Sequence, residues 1–215
     1  MKAKPHTDFV RLRRMHERGD YDPTTIHAIL DAAPLCHVGH IIDDRPVVIP
    51  TFHWRDGDTV YWHGSAASRM LRANAAGDVV CLTATLLDGF VFARSAFHHS
   101  ANYRSAMVFG VPRKVTDDAE KLASLKGFTE RLSPGRWDGL RPVTAQELKA
   151  TAVLALTISE ASAKTRSGPP GDDAEDVTWP IWGGVLPVHL AAAAPIDDSH
   201  VNGAYTPPAT PFTSD

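Results

Sequence analysis

The chain has few or none of the features that mark several large classes of protein. Its 215 residues include only two cysteines, Cys36 and Cys81, which are too few for a disulfide framework and lack the spacing of metal ligands. No stretch approaches the roughly 18 apolar residues that a membrane-spanning helix requires, and the charged amino end lacks the apolar core of a signal peptide. We therefore expect buried free thiols, a cytoplasmic location and no membrane partner.

An excess of charge of one sign is also missing, because 22 basic residues nearly balance 25 acidic ones and leave a net charge of −3. No block of like charges is long enough to form a nucleic-acid surface, so we expect no nucleic-acid partner. The length and an apolar fraction of 43% suit one domain with a substantial core. We assign this domain to residues 22–190, after a basic surface arm at 1–21. A tail rich in Ala, Pro, Asp and Thr at 191–215 is predicted to be disordered.

Two strand-like runs in the first third of the chain predict a β-hairpin. Val47–Arg55 and Thr59–His63 lack helical periodicity, and Asp56-Gly57 between them is a typical signal for a type I′ turn. With these two residues as the loop, Phe52 faces Tyr61, and this side of the hairpin is rich in aromatic residues. The other side carries Thr51, His53, Val60 and Trp62.

The end of the second strand predicts a phosphate-binding turn. Ser65 is a good helix N-cap, and Gly77 is a typical helix stop. The start of such a helix offers free backbone N–H groups and the positive end of the helix dipole. Ser65, Ser68 and Arg69 add two hydroxyls and a guanidinium within one turn. The alternative is that Ser65 only caps the helix and Arg69 only lies at the surface.

Most of the remaining pattern predicts strands, with short helices between them. Helix starts are predicted at Asp22-Pro23, at the Asp117-to-Glu120 capping box, and at Thr144. Asp88-Gly89 repeats the turn signal and predicts a second hairpin that leads into Phe90–Phe97. The other predicted strands are Leu35–His40, Ile41–Val47 with a break at Asp43-Asp44, Asp78–Leu86, Ala106–Val115 and Ala152–Ser159.

Several residues leave alternatives open. Arg94 is a charge in a mostly apolar strand, so it either forms a salt bridge or contacts a ligand. Trp182, which precedes two glycines, either covers a flat ligand or plugs the core. His98-His99 does not predict a metal site, because neighbouring residues of an extended segment point oppositely and no third ligand lies at a suitable spacing. The Gly/Pro/Asp-rich loop at 167–176 is long enough for a lid or an interface loop.

Three blocks of sequence carry a resemblance to a known family. They are PTFHW followed by DGDTVYWHGSAASRM at 50–70, DGFVFARSAFHHSANYRS at 88–105, and WGGVLP at 182–187. With these blocks the chain resembles the FMN-binding split-barrel family related to pyridoxamine 5′-phosphate oxidase. Within that family it looks closest to the group of 5-nitroimidazole reductases and flavin-nucleotide-binding proteins. The resemblance implies a mainly β (α+β) fold, namely an antiparallel, Greek-key-like split β-barrel with a few peripheral helices.

The resemblance also implies a homodimer with FMN, or alternatively FAD, bound between the subunits. Ser65, Ser68 and Arg69 would hold the phosphate. Met70 stands where the oxidases have a lysine, so a second cation such as Arg104 or Lys164 would supplement the clamp. The remaining expected contacts are Pro50, Thr51 and His63 at the ring edge, Tyr61, Trp62 and the partner's Trp182 at the ring walls, and Phe52, Arg94, Asn102 and Tyr103 nearby.

The activity that the resemblance implies is reduction of bound flavin by NAD(P)H and transfer to a small acceptor, such as a nitroaromatic compound. No catalytic acid or base can be named. True pyridoxamine phosphate oxidase activity is not expected, because of Met70 and because the carboxy-terminal R-x-H substrate motif of those enzymes is not found. The alternatives are a flavin-binding protein without turnover, a haem-binding or haem-degrading member that uses His63 or His98 as iron ligand, and a deazaflavin-dependent member.

Overall fold

The computed structural model describes residues 5, 7–68, 71, 77–200 and 206–212. The strands of this part of the chain are β1 (Gly19–Asp20), β2 (Leu35–Ile42), β3 (Arg45–Asp56), β4 (Thr59–Ser65), β5 (Val80–Phe92), β6 (Ser100–Gly110), β7 (Arg113–Lys114), β8 (Thr151–Thr157), β9 (Glu160–Arg166) and β10 (Gly184–Pro187). The α-helices are α1 (Pro23–Ala32), α2 (Asp118–Leu132) and α3 (Ala145–Ala150).

The ten strands form one antiparallel sheet in the order β1-β9-β6-β5-β2-β3-β4-β8-β7, and β10 pairs with the far end of β5. The sheet curls around a core but its two edge strands do not pair with each other, so it is a split barrel rather than a closed one. The predicted mainly β, antiparallel fold is confirmed. None of the described helices combines the length and apolar character that a membrane crossing requires.

The barrel core is built from inward-facing side chains, which alternate with outward-facing ones along each strand. Val60 and Trp62 of β4 and Leu154 and Leu156 of β8 are buried in it, together with the apolar residues of α1. The intervening residues of β8, Val153 and Ala155, are buried on the opposite face beneath α2. Because β8 is covered on both faces, its sequence is continuously apolar, as expected for a central strand.

The Asp88-Gly89 dipeptide does not form the predicted turn. β5 runs through it without a break to Phe92, and the register with β6 shifts between Leu87 and Gly89, as at a β-bulge. A Cβ atom at residue 89 would lie 3.0 Å from the carbonyl oxygen of Leu186. The glycine therefore permits the close approach of β10, and the prediction of a second hairpin was wrong.

The first hairpin forms, but its register differs from the prediction. Asp56 pairs with Thr59, so Gly57 and Asp58 are the loop residues, and Trp54 rather than Phe52 faces Tyr61. Gly57 has a φ of 53°, which this residue type adopts without strain. Because the slip amounts to two residues, the predicted faces are unchanged, and Trp62 lies on the face opposite Tyr61.

The three predicted helix starts are confirmed by their capping contacts. Asp22 accepts a hydrogen bond from Thr24 N, and Asp117 accepts one from Glu120 N. Thr144 and Glu147 form both halves of a capping box at α3. The helix predicted after Ser65 falls mostly on 69, 70 and 72–76, which lie outside the described residues.

In their described parts, the two ends of the chain contain only a short 3-10 helix at His16–Arg18 and the two-residue strand β1. Val10 in the predicted surface arm is buried, and the Phe9 ring packs edge-on against Phe109 at 4.8 Å between centroids. In the tail, the Phe212 ring lies 5.0 Å from the Arg131 guanidinium. The disorder of 191–215 stays a prediction, as do the domain bounds.

Side chains from β3 and α2 hold the carboxyl end of α1. His53 Nε2 lies 2.8 Å from the carbonyl oxygen of Leu30, and Arg131 Nη2 donates to the carbonyls of Leu30 at 2.6 Å and Ala33 at 2.7 Å. Burial, with a smaller effect of the Arg131 charge, lowers the pKa of His53 from 6.5 to about 4. His53 is therefore neutral at pH 7 and donates to the helix end.

This pKa predicts a pH dependence of stability. Since the unfolded chain binds a proton at His53 at higher pH than the folded protein, the free energy of unfolding should decrease as the pH falls from 6.5 toward 4. The contribution is roughly 3 kcal/mol. Urea unfolding of the wild type and of His53→Gln across this range measures it, and we expect the variant to show a smaller loss. Equal slopes for both proteins would contradict the assignment.

Candidate functional site

A pocket lies between the outer face of β4, α2 and the segment that leads into α3. Its volume is about 450 Å³, and we call it the α2 pocket. Its walls are mainly apolar and aromatic, with a few polar groups. The residues that line it are His63, Leu125, Phe128, Thr129, Trp137, Leu140, Arg141, Val143, Glu147 and Thr151.

His63 is the titratable group at the sheet side of the α2 pocket. Its ring centroid lies 4.5 Å from that of Phe128 and 5.4 Å from that of Trp54. Nδ1 is buried and has no hydrogen-bond partner among the described residues. Burial also lowers the pKa of His63, so the imidazole is neutral at pH 7 and keeps a lone pair for a ligand.

An ion pair stands at the side of the pocket formed by α3. Arg141 Nη1 donates to Glu147 Oε2 at 3.0 Å, and Nη2 donates to Oε1. Glu147 Oε2 also accepts from Thr144 N at 2.8 Å. The Arg141 contact, followed by the two from Thr144, lowers the pKa of Glu147 to about 2. The α2 pocket thus presents an apolar wall, a neutral imidazole and a paired guanidinium.

A second surface of interest is the part of the outer sheet face that α2 leaves uncovered. Its exposed apolar residues lie on the neighbouring strands β2 and β3, and we call it the open sheet face: Leu35, Ile41, Val48, Pro50 and Phe52. Phe52 is 43% exposed, and its ring centroid lies 5.9 Å from that of Phe128. Because Phe128 also lines the α2 pocket, the two surfaces adjoin each other at this residue.

The structure brings four of the sequence-predicted site residues to one face of the sheet. Pro50 and Phe52 lie on the open sheet face, while Tyr61 and His63 lie on the same side beneath α2. Trp62, expected as a ring wall, instead lies fully buried in the barrel core, because alternate residues of β4 point inward. Thr51 belongs to the same inward-facing set, and its hydroxyl donates to the carbonyl of Phe52 at 3.3 Å.

The predicted phosphate-binding turn is described only at its start. Ser65 Oγ accepts from Ala67 N at 3.2 Å, and the Ser65 carbonyl accepts from Ser68 N at 2.9 Å. These contacts form a tight turn after β4. Arg69, which completes the predicted clamp, lies outside the described residues.

Arg94 forms the salt bridge that was one of its two predicted alternatives. Its backbone N and its Nη1 donate to the two carboxylate oxygens of Asp172, at 2.8 and 2.7 Å. His98 Nε2 lies 3.2 Å from Asp173 Oδ2. Both contacts tie the predicted lid loop to the end of β5 and the turn that follows it.

The residues of the N-Y-R-S stretch and Lys164 lie on the neighbouring strands β6 and β9. Asn102 is buried, donates to the Gly168 carbonyl at 3.2 Å and accepts from Arg166. Arg104 is held by Asp88 in a two-bond ion pair at 2.7 and 2.9 Å. Tyr103 and Lys164 are half-buried, and Lys164 pairs with Gly19 of β1.

Trp182 is not a core plug, because it is 63% exposed. Its ring centroid lies 5.9 Å from that of Phe92. The ring also lies against Gly184, where an added Cβ atom would meet it at 2.6 Å. The absence of a side chain at two glycines therefore allows close packing here. Gly184 leaves space for the Trp182 ring, and Gly183 leaves space for the Arg94 guanidinium.

Sequence reasoning missed most of the α2 pocket. Leu125 and Phe128 were visible only as part of an ordinary amphipathic stripe, which does not say what the helix covers. Arg141 and Glu147 are six residues apart, on either side of the predicted helix start at Thr144, and this spacing does not predict a contact. The lining residues come from positions 63 to 151, so only the fold brings them together.

The comparisons with known proteins agree with this architecture. The family model for pyridoxamine 5′-phosphate oxidase matches residues 22–165, so the chain belongs to that family, as its sequence blocks predicted. Among solved structures, it is similar to the flavocytochrome Anf3 from Azotobacter vinelandii, with 45% identity over 96% of each chain and a TM-score of 0.90. No curated protein matches.

Two further solved structures are similar. The FAD and heme binding protein from Mycobacterium smegmatis has 38% identity over 89% of this chain and 94% of its own, with a TM-score of 0.85. A candidate 5-nitroimidazole antibiotic resistance protein from Bacteroides thetaiotaomicron has 20% identity over 68% of this chain and 85% of its own, with a TM-score of 0.58. The last similarity is one of fold alone.

The position of Gly183 generates a stability prediction. In Gly183→Ala the new methyl group would lie 2.7 Å from Arg94 Nη1, so the guanidinium must shift and its contact with Asp172 is disturbed. We expect a loss of up to about 1 kcal/mol in the free energy of unfolding, because the change weakens a partly exposed ion pair rather than straining a packed core. Gly171→Ala in the same loop, where nothing lies within 4 Å, is the control. Equal stability of the two variants in denaturant unfolding would contradict this role.

Proposed function

We propose that the protein is an oxidoreductase that binds a flavin and a haem. The observation that carries the proposal is the similarity to a flavocytochrome at 45% identity over 96% of both chains. The similarity to an FAD and heme binding protein at 38% identity supports it independently. At such identity over nearly the full length, a shared ligand chemistry is a reasonable expectation, whereas fold likeness alone would not be enough.

The α2 pocket has the chemistry that a haem requires. Its leucine, valine and phenylalanine walls suit the flat apolar macrocycle, and His63, which lines the pocket, offers a neutral imidazole. His98, the other candidate ligand, is engaged by Asp173. His63 would therefore hold the iron, and the apolar walls would exclude water. When bound, haem supplies a one-electron redox centre.

The open sheet face supports the flavin and the dimer. Exposed apolar side chains on neighbouring strands are typical of surfaces that bind a partner or a ligand, and Val48 there is 63% exposed. We infer that a second copy covers this face and that the flavin lies between the subunits, with its phosphate at Ser65, Ser68 and Arg69. Trp182 would contribute a ring wall from the partner. When bound, flavin supplies a centre that exchanges one or two electrons.

The type of flavin, the electron donor, the acceptor and the cellular location are also proposals. FMN is the expected flavin from the resemblance, and FAD is the alternative that the M. smegmatis protein favours. NAD(P)H as the donor, a small nitroaromatic acceptor and a cytoplasmic location stay predictions. The chain's own contribution would be to bind, orient and shield the cofactors rather than to supply a named acid or base.

The visible spectrum of the purified protein tests the proposal. We expect flavin absorption together with a Soret band, and in His63→Ala we expect haem binding to weaken by at least roughly 10- to 100-fold while flavin content and circular dichroism stay unchanged. His98→Ala is the matched control and should keep its haem. A Soret band retained in His63→Ala, or a wild type that binds no haem on reconstitution, would overturn the haem assignment.

The flavin half of the proposal has a separate test at Arg69. Arg69→Ala should lower flavin occupancy after dialysis, because it removes a charge-assisted contact of about 1.5–3 kcal/mol. The control is Arg45→Ala, which removes an exposed arginine beside the β2–β3 turn. Flavin retention as strong in Arg69→Ala as in the control would show that the phosphate does not dock at this turn.

A further inference from the structure

The charges of the α2 pocket are unevenly distributed. Of its ten lining residues, only Arg141 and Glu147 are charged at neutral pH, and they lie together, Glu147 in α3 and Arg141 in the segment that leads into it. The other lining residues are uncharged and mostly apolar, with His63, Thr129 and Thr151 as the polar ones. A ligand that fills the pocket would therefore have an apolar body and would meet a charged pair at one edge.

Arg141 is the member of the pair that can change partners. Its side chain is 68% exposed and uses Nη1 and Nη2 to bind Glu147, with a further contact from Nη1 to the Pro142 carbonyl at 3.0 Å. Within the described part of the chain, Nε donates to no acceptor. A guanidinium carries five N–H donors in a rigid fork, so Arg141 can bind a second carboxylate or exchange Glu147 for it.

Glu147, in contrast, is held in place without Arg141. Its Oε2 accepts from Thr144 N at 2.8 Å and from Thr144 Oγ1 at 3.0 Å, as the capping box of α3 requires. The carboxylate would therefore remain beside the pocket when Arg141 turns to a ligand. There it would repel an incoming anion and compete with it for the guanidinium.

We propose that Arg141 binds a carboxylate group of the ligand in the α2 pocket and that Glu147 competes with this carboxylate. The inference rests on the proposed function, since haem carries two propionate carboxylates on an otherwise apolar ring. Arg141 is then a specificity residue for amphipathic carboxylates, and Glu147 sets how tightly they bind. The alternative is a purely structural pair that fastens the segment before α3.

Haem and its dimethyl ester distinguish these roles, because the ester has the same ring and iron but no carboxylates. Binding is measured by Soret titration of the full chain, with tryptophan quenching as a second signal because Trp137 lines the pocket. For Arg141→Gln we expect haem affinity to fall roughly three- to tenfold and ester affinity to stay unchanged. Arg136→Gln, which changes an arginine outside the pocket lining, is the control and should alter neither.

Glu147→Gln provides the opposite change. Glutamine keeps the oxygen that a capping box uses, so α3 should remain capped while the competing charge is lost. We expect haem to bind roughly three- to tenfold more tightly and the ester to bind as before. A wild type that binds neither porphyrin would overturn the haem assignment and this proposal together. Binding of both porphyrins without discrimination by the two charge variants would overturn this proposal alone.

Discussion

The difference between the two faces of β4 is the constraint on which the rest of the structure depends, because its inner face is fully buried and its outer face is only partly covered. Trp62 points into the barrel core, and its neighbour His63 points outward beneath α2. Alternation along a strand makes these two environments inevitable once α2 covers the sheet. The same covering partly shields His63 from water, lowers its pKa and leaves it facing a pocket. A core residue, Trp62, and a candidate site residue, His63, are thus adjacent in the sequence.

The placement of α2 also determines how the two candidate sites relate to each other. The helix covers the outer faces of β3, β4 and β8 and leaves those of β2 and the start of β3 open. Phe128 stands at this boundary, 4.5 Å from His63 and 5.9 Å from Phe52 between ring centroids. If a haem and a flavin occupy the two sites, packed aromatic side chains rather than solvent lie between them.

Several glycines of this chain permit close packing of neighbouring groups, as others permit the backbone conformation of a turn. Gly89 admits β10, Gly183 admits the Arg94 guanidinium, and Gly184 admits the ring of Trp182. A glycine chosen for such an approach looks identical, in sequence, to one chosen for a turn. That ambiguity is why the Asp88-Gly89 dipeptide predicted a hairpin where the structure has a bulge in a long strand.

The sequence by itself determined the family, the three helix caps, and the two strands of the first hairpin with their faces, because these depend on local periodicity, capping and short motifs. Only the tertiary structure decided the hairpin register, the partner of Arg94, which lies 78 residues away, and the existence of the α2 pocket. These features depend on which surfaces pack against each other. Non-local packing joins side chains whose spacing along the chain carries no signal of their meeting.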